Sequence, residues 1–159
     1  MNGMTPPGTS AFVDRPDYRV DIYARRNVVT ASADGRLLAQ TSRSLLVDEQ
    51  DHGLVFYFPR DDIRIELTPD PATKSRCPFK GEATHWRFDG DGDSAICWSY
   101  ENPFNEVTRL RGYVAFYQDS VDVRVGQAHP AVSWRPPPET GARVDGTPGS
   151  DSESDGSDR

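Results

Sequence analysis

The chain has 159 residues, 27% of them charged, and a formal net charge of −7. That length suits one domain; with the loosely composed ends set aside, roughly 110 residues remain, enough for one modest core and too few for two. An acidic chain without a basic stripe has no electrostatic footprint for nucleic acid or for an anionic membrane surface, so neither is an expected partner.

The charge is unevenly placed. From Glu139 onward there are six acidic and two basic residues, ending in the low-complexity run GSDSESDGSDR at 149–159. Such a composition buries too little apolar area to offset chain entropy, so residues 128–159 are expected to form a disordered tail, Pro-rich at first and then acidic. Residues 1–17 read as a flexible segment, and 18–127 as the folded domain. No apolar run resembles a signal peptide or a transmembrane helix, and Cys77 and Cys97 are too few for a disulfide scaffold. A cytoplasmic protein is the expectation. Of the 18 basic residues only Lys74 and Lys80 are lysine, an arginine bias that suggests a GC-rich bacterial genome.

Inside the domain the period is mostly two. Residues 18–23 alternate as a half-buried strand should. Residues 28–33 and 36–41 flank Asp34-Gly35, a pair suited to a type I′ hairpin turn. Residues 45–47 form a short strand. Residues 54–58 form a strongly apolar one that stops at Pro59, and 63–67 alternate up to Pro69. Strands at 81–88 and 94–100 follow, joined by a turn at 89–93, and 121–125 closes the domain. One helix is expected near 103–117: Asn102-Pro103 offers a cap and a first-turn proline. Glu106 suits the helix dipole, and Val107, Leu110, Val114 and Tyr117 make one apolar stripe. The fold class is thus mainly β (α+β): a small antiparallel barrel or sandwich with one helix in its C-terminal half.

Candidate chemistry concentrates at 77–100. If Phe88 pairs with Ser94, strand alternation puts Glu82, Thr84, Trp86, Ile96, Trp98 and Tyr100 on one face. An apolar wall ending in a carboxylate and a phenol would suit a small ligand, although a one-residue slip would scatter the set. The plainer reading makes both tryptophans core and leaves Glu82 at the rim. Cys77, near Lys80 and His85, could be an activated thiol, but a cysteine beside an apolar strand more often serves as a small buried hydrophobe. Cys77, His85 and Cys97 lack the spacing of a metal site, so no metal or other cofactor is expected. Asp89 starts an acidic run that resembles a calcium loop, yet Ser94 and Tyr100 stand where an EF-hand needs glycine and glutamate. Arg43 could clamp a carboxylate or phosphate, with surface pairing to Asp61 or Asp62 the better account. Tyr57 reads first as a core tyrosine.

Five strings in order carry a resemblance: GRLLAQTSR at 35–43, YFPRDDI at 57–63, CPFKGEA at 77–83, WSYENP at 98–103 and GYVAFY at 112–117. Together they make the domain resemble the bacterial family DUF427, over about residues 18–125. The resemblance implies a compact β structure with a ligand-sized cavity, akin to the β-tent domains. Some of those domains hold zinc through two CxxC pairs, which this chain lacks. The family also carries a nucleotidyltransferase-like label. This chain has no Gly-Ser helix start followed by a paired-aspartate strand, so that chemistry is not expected. Carried over by position, the family's recurrent places fall on Arg43, Tyr57, Asp62, Cys77 and Lys80, and further along on Gly81, Trp98, Tyr100 and Tyr117.

Three functions are then open. The first is a small-molecule site for an anionic or carbonyl ligand, drawing on Arg43, Tyr57, Lys80, Trp98, Tyr100 and Tyr117. The second is a metal-independent enzyme with Lys80 or Cys77 as nucleophile and Glu82 or Tyr100 in proton transfer. The third is a protein-interaction module using a sheet edge or the tail.

Overall fold

A computed structural model describes residues 8–88 and 94–138. The expected turn at 89–93 and the acidic part of the tail lie outside them. Among the described residues ten strands form two antiparallel sheets, arranged as an open sandwich rather than a closed barrel. The larger sheet has the order β1 (Val20–Arg25), β4 (Ser44–Glu49), β5 (Val55–Pro59), β9 (Tyr113–Phe116), β8 (Cys97–Ser99), β7 (Gly81–Phe88) and β6 (Leu67–Cys77). The smaller has β10 (Asp122–Ala128), β2 (Asn27–Ala33) and β3 (Arg36–Thr41). Asp34 and Gly35 both adopt positive φ, 51° and 76°, as the type I′ turn between β2 and β3 requires.

The central strands of the large sheet are buried on both faces, which explains the near-continuous apolar run of β5. One face meets the small sheet: Val29, Ala31 and Leu38 pack there against Phe58, Trp86 and Phe116. The other face carries Leu45, Val47, Tyr57 and Tyr100, covered by Phe104, Val107 and Leu110. An N-terminal strap reinforces this second layer. Ala11 N–H donates to the Pro78 carbonyl at 2.8 Å, Phe79 stacks on Tyr18 with centroids 3.7 Å apart, and the Ser10 hydroxyl reaches Glu106 at 2.9 Å.

Three local expectations change. The stretch expected to be one helix splits into 3-10 turns over Asn105–Leu110 and strand β9. Val107 breaks the turns (φ −126°, ψ 31°) and Gly112, at φ 84°, ends them. Residues 113–116 then fill the gap between β5 and β8 and pair with a ladder on each side, which a local helical stripe cannot match. Secondly, 63–67 is not a continuous strand. Ile63 makes a single bridge to Ala39, and the strand starts at Leu67. Its prolines, Pro69 and Pro71, are tolerated because β6 lies at the sheet edge, with a register shift between Pro69 and Lys74.

The third change is register. β7 and β8 pair as Thr84 with Ser99, His85 with Trp98 and Trp86 with Cys97. This is one residue away from the expected alignment, and a slip of one reverses every side chain. Trp86 therefore belongs to the inter-sheet core, while His85 joins Trp98 on the opposite face.

Candidate functional site

Lys80 lies in the turn joining β6 to β7, and Glu49 ends β4. On a flat sheet those places would be about 20–24 Å apart, at roughly 4.8 Å per strand. The Lys80 ammonium nevertheless donates directly to Glu49 Oε1, and both side chains are 9% exposed. The sheet must curl strongly for its two sides to meet. The hollow of that curl is a cavity of about 370 Å³, within the range that holds small ligands.

Backbone geometry places the lysine. Gly81 has φ 118°, and a Cβ there would sit 3.4 Å from the Asn102 carbonyl oxygen. Only glycine accepts that conformation comfortably. Phe104 N–H then donates to the Lys80 carbonyl at 3.1 Å, tying the turn to the start of the 3-10 segment over Asn105–Leu110. The Glu49 carboxylate is held from its other oxygen by the Tyr18 hydroxyl at 2.6 Å. Burial by itself would raise the Glu49 pKa, but the hydrogen bonds from Lys80 and Tyr18 outweigh it and hold the carboxyl below its ordinary range. Tyr18 responds in the opposite sense: partial desolvation and the adjacent carboxylate push its phenol up to about 12.

Aromatic groups make the cavity wall. Trp98 stands edge-on to Tyr57, with indole Nε1 donating to the Tyr57 hydroxyl at 3.3 Å, and packs 4.7 Å from Tyr117. Tyr100 completes this wall. Burial raises the pKa of Tyr57, Tyr100 and Tyr117 alike, so all three remain neutral phenols at pH 7, able to donate as well as accept.

A polar line runs beside that wall. The Ser75 hydroxyl on β6 lies 2.8 Å from His85 Nε2, and His85 Nδ1 lies 2.8 Å from the Tyr117 hydroxyl. His85 is buried and its ring is stacked parallel to Tyr117. Desolvation lowers the His85 pKa, with Asp70 opposing it, which favours the neutral imidazole.

Of the residues singled out from the sequence, Tyr57, Cys77, Lys80, Trp98, Tyr100 and Tyr117 line this one cavity. Arg43 does not. It pairs with Asp62 at 3.2 Å on the surface, beside a Thr41 hydroxyl that donates to the same carboxylate. Glu82 is exposed and lines a separate outer groove rather than the cavity. Cys77 packs beside the cavity layer whereas Cys97 is buried in the inter-sheet core, and both are free thiols. Burial pushes the Cys97 thiol up to about 12, which makes it inert. Among the described residues no three His, Cys, Asp or Glu side chains cluster as metal ligands would, and no helix is long and apolar enough to cross a membrane.

Four polar side chains of the cavity were not expected there from the sequence: Glu49, His52, Ser75 and His85. His85 had a signal, since the alternate register places it beside Trp98. Glu49 follows an apolar strand and gave none, because its partner lies 31 positions away.

The fold and the cavity define a sandwich-like β domain with a lysine–glutamate pair in a partly aromatic hollow. The family model described as Domain of unknown function (DUF427) matches residues 21–127, and the chain belongs to that family. No curated protein matches the chain.

Proposed function

We propose that this domain binds a small carbonyl-bearing molecule in the cavity, with Lys80 as its polar anchor and Trp98 as its flat wall. The supporting observation is the buried Lys80–Glu49 pair at one side of an aromatic hollow. An ammonium has three donor hydrogens, one of which goes to Glu49. The others suit a carbonyl oxygen, while the phenols of Tyr57 and Tyr100 suit further acceptors. Because Glu49 neutralises Lys80 and Arg43 stands elsewhere, a neutral ligand fits better than an anion.

Thermal shift provides the test, using small aromatic ketones, amides and esters against the matched carboxylates. Neutral carbonyl compounds are expected to raise the melting temperature more than their carboxylates. The rise should vanish in Lys80→Ala when each protein is compared with its own ligand-free value. Equal shifts in both proteins would remove Lys80 from the site, and larger shifts with carboxylates would reverse the charge argument.

A further inference from the structure

We infer that Ser75, His85 and Tyr117 form a nucleophile–base–positioning line that transfers an acyl group from a small ester to Ser75 and then to water. The inference rests on the carbonyl-binding reading of the cavity and adds a reaction to it. Three observations carry it.

The first is geometry. A serine hydroxyl and a histidine nitrogen within hydrogen-bond reach, with the second nitrogen held by a third group, is the arrangement that activates a hydroxyl. Both contacts here are 2.8 Å. With the proton on Nδ1 donated to the Tyr117 oxygen, Nε2 is left to accept the Ser75 proton. The depressed pKa of the buried imidazole keeps it in the neutral form that such a base needs.

The second observation is access. His85 is only 4% exposed, whereas Ser75 is an exposed residue of an edge strand. A substrate can reach the nucleophile while the base stays shielded from water. Exposed serines on edge strands ordinarily hydrogen-bond to solvent, and this one points its hydroxyl at a buried ring.

The third is position. Ser75 and His85 belong to the walls of two hollows at once: the aromatic cavity and an outer groove of about 490 Å³. The groove carries Asp70, Lys74, Arg76 and Glu82, a mixed and balanced set of charges. An ester bound across Ser75 would lay its acyl part against Trp98 and its polar alcohol part in the groove. Lys80, in the acyl cavity, has donor hydrogens beyond the one that Glu49 takes, and these would serve the carbonyl oxygen as charge develops on it.

The steps balance without a further reagent. Ser75 Oγ bonds to the carbonyl carbon as its proton moves to His85 Nε2. The bond to the alcohol oxygen breaks, and that oxygen leaves with the proton from His85. Water then attacks the acyl-serine, giving its proton to His85, which returns it to Ser75 Oγ as the carboxylic acid departs. Tyr117 touches no reacting atom and is a positioning residue.

The test uses the full chain with p-nitrophenyl acetate as substrate and a fluorophosphonate as covalent probe. The probe is expected on Ser75 by peptide mapping. Turnover should disappear in Ser75→Ala and fall about a hundredfold or more in His85→Gln. Tyr117→Phe keeps the ring and removes only the hydroxyl; it should lower kcat about tenfold with KM retained, a split that loss of packing would not give. Labelling of another residue, or equal turnover in Ser75→Ala, overturns the inference. Wild-type protein that stays unlabelled while aromatic ketones still raise its melting temperature overturns acyl transfer and leaves binding standing. No label and no thermal shift would end both.

Discussion

Trp86 and His85 are adjacent in β7, yet they serve opposite faces of one sheet. Trp86 packs in the inter-sheet core with Phe58 and Phe116, and its indole N–H donates to the Ser99 hydroxyl at 2.9 Å. His85 looks into a hollow with Ser75, Lys80 and three phenols. The first face is built from packed apolar side chains. The second keeps buried ionisable groups beside a cavity, which costs desolvation and gains little packing. Alternate residues of one strand can thus serve a packed core on one side of the sheet and a hollow on the other.

That comparison can be broken most sharply on the packed face. Phe58→Ala is expected to cost about 3–5 kcal/mol, the usual range for emptying a filled aromatic site. Tyr57→Phe, one position away on the cavity face, should cost only about 1 kcal/mol. Urea unfolding of both variants measures the contrast, and equal losses would show that the two faces are not divided in this way.

The ion pair comes next. Lys80→Met leaves Glu49 buried without its cation and should destabilise by about 3 kcal/mol. The double variant Lys80→Met/Glu49→Leu should regain most of that loss, because no unpaired charge then remains. Losses that simply add would mean that the two groups are not coupled.

The pH dependence is a smaller effect with a definite sign. Glu49 has a folded pKa below its unfolded one, so its contribution is complete above the ordinary carboxylate range. It is lost as pH falls through the depressed value. His85 is also depressed, here by burial, so the unfolded chain takes up its proton first, near the ordinary imidazole value of about 6.5. Both therefore lower stability as pH falls, His85 at the milder pH and Glu49 at the more acidic. Melting temperatures from pH 8 to 4 should decline in that order, and Glu49→Gln should flatten the acidic limb. An unchanged limb would contradict the role assigned to Tyr18 and Lys80.

The smallest effect is expected at Arg43, whose side chain is 64% exposed. Arg43→Ala should change stability by less than about 1 kcal/mol and leave ligand-induced thermal shifts as they are. A loss of ligand response would extend the site to the surface.

What was legible in the sequence follows from how local each signal is. The Asp34-Gly35 hairpin and the apolar β5 strand are dictated by neighbouring residues, and both formed as read. So did the mainly β, sandwich-like fold with its DUF427 resemblance. Lys80 was legible because the CPFKG string sets one of only two lysines in an arginine-rich chain. The helix expected at 103–117 did not form whole, since pairing to β5 and β8 overrode a local stripe. The β7–β8 register was out of reach because a shift of one residue in the pairing changes which side chains share a face. That one step hid His85 and, with it, Ser75 and its link to Tyr117. Glu49 needed the curl of the whole sheet, which no short stretch encodes.

The most direct measurement is a crystal structure of the protein soaked with 4-hydroxyacetophenone. The account predicts the ring against Trp98 inside the cavity, with its carbonyl oxygen about 2.7–3.2 Å from Lys80 Nζ. A ring bound elsewhere, or a cavity holding only water beside an untouched Lys80–Glu49 pair, would contradict it.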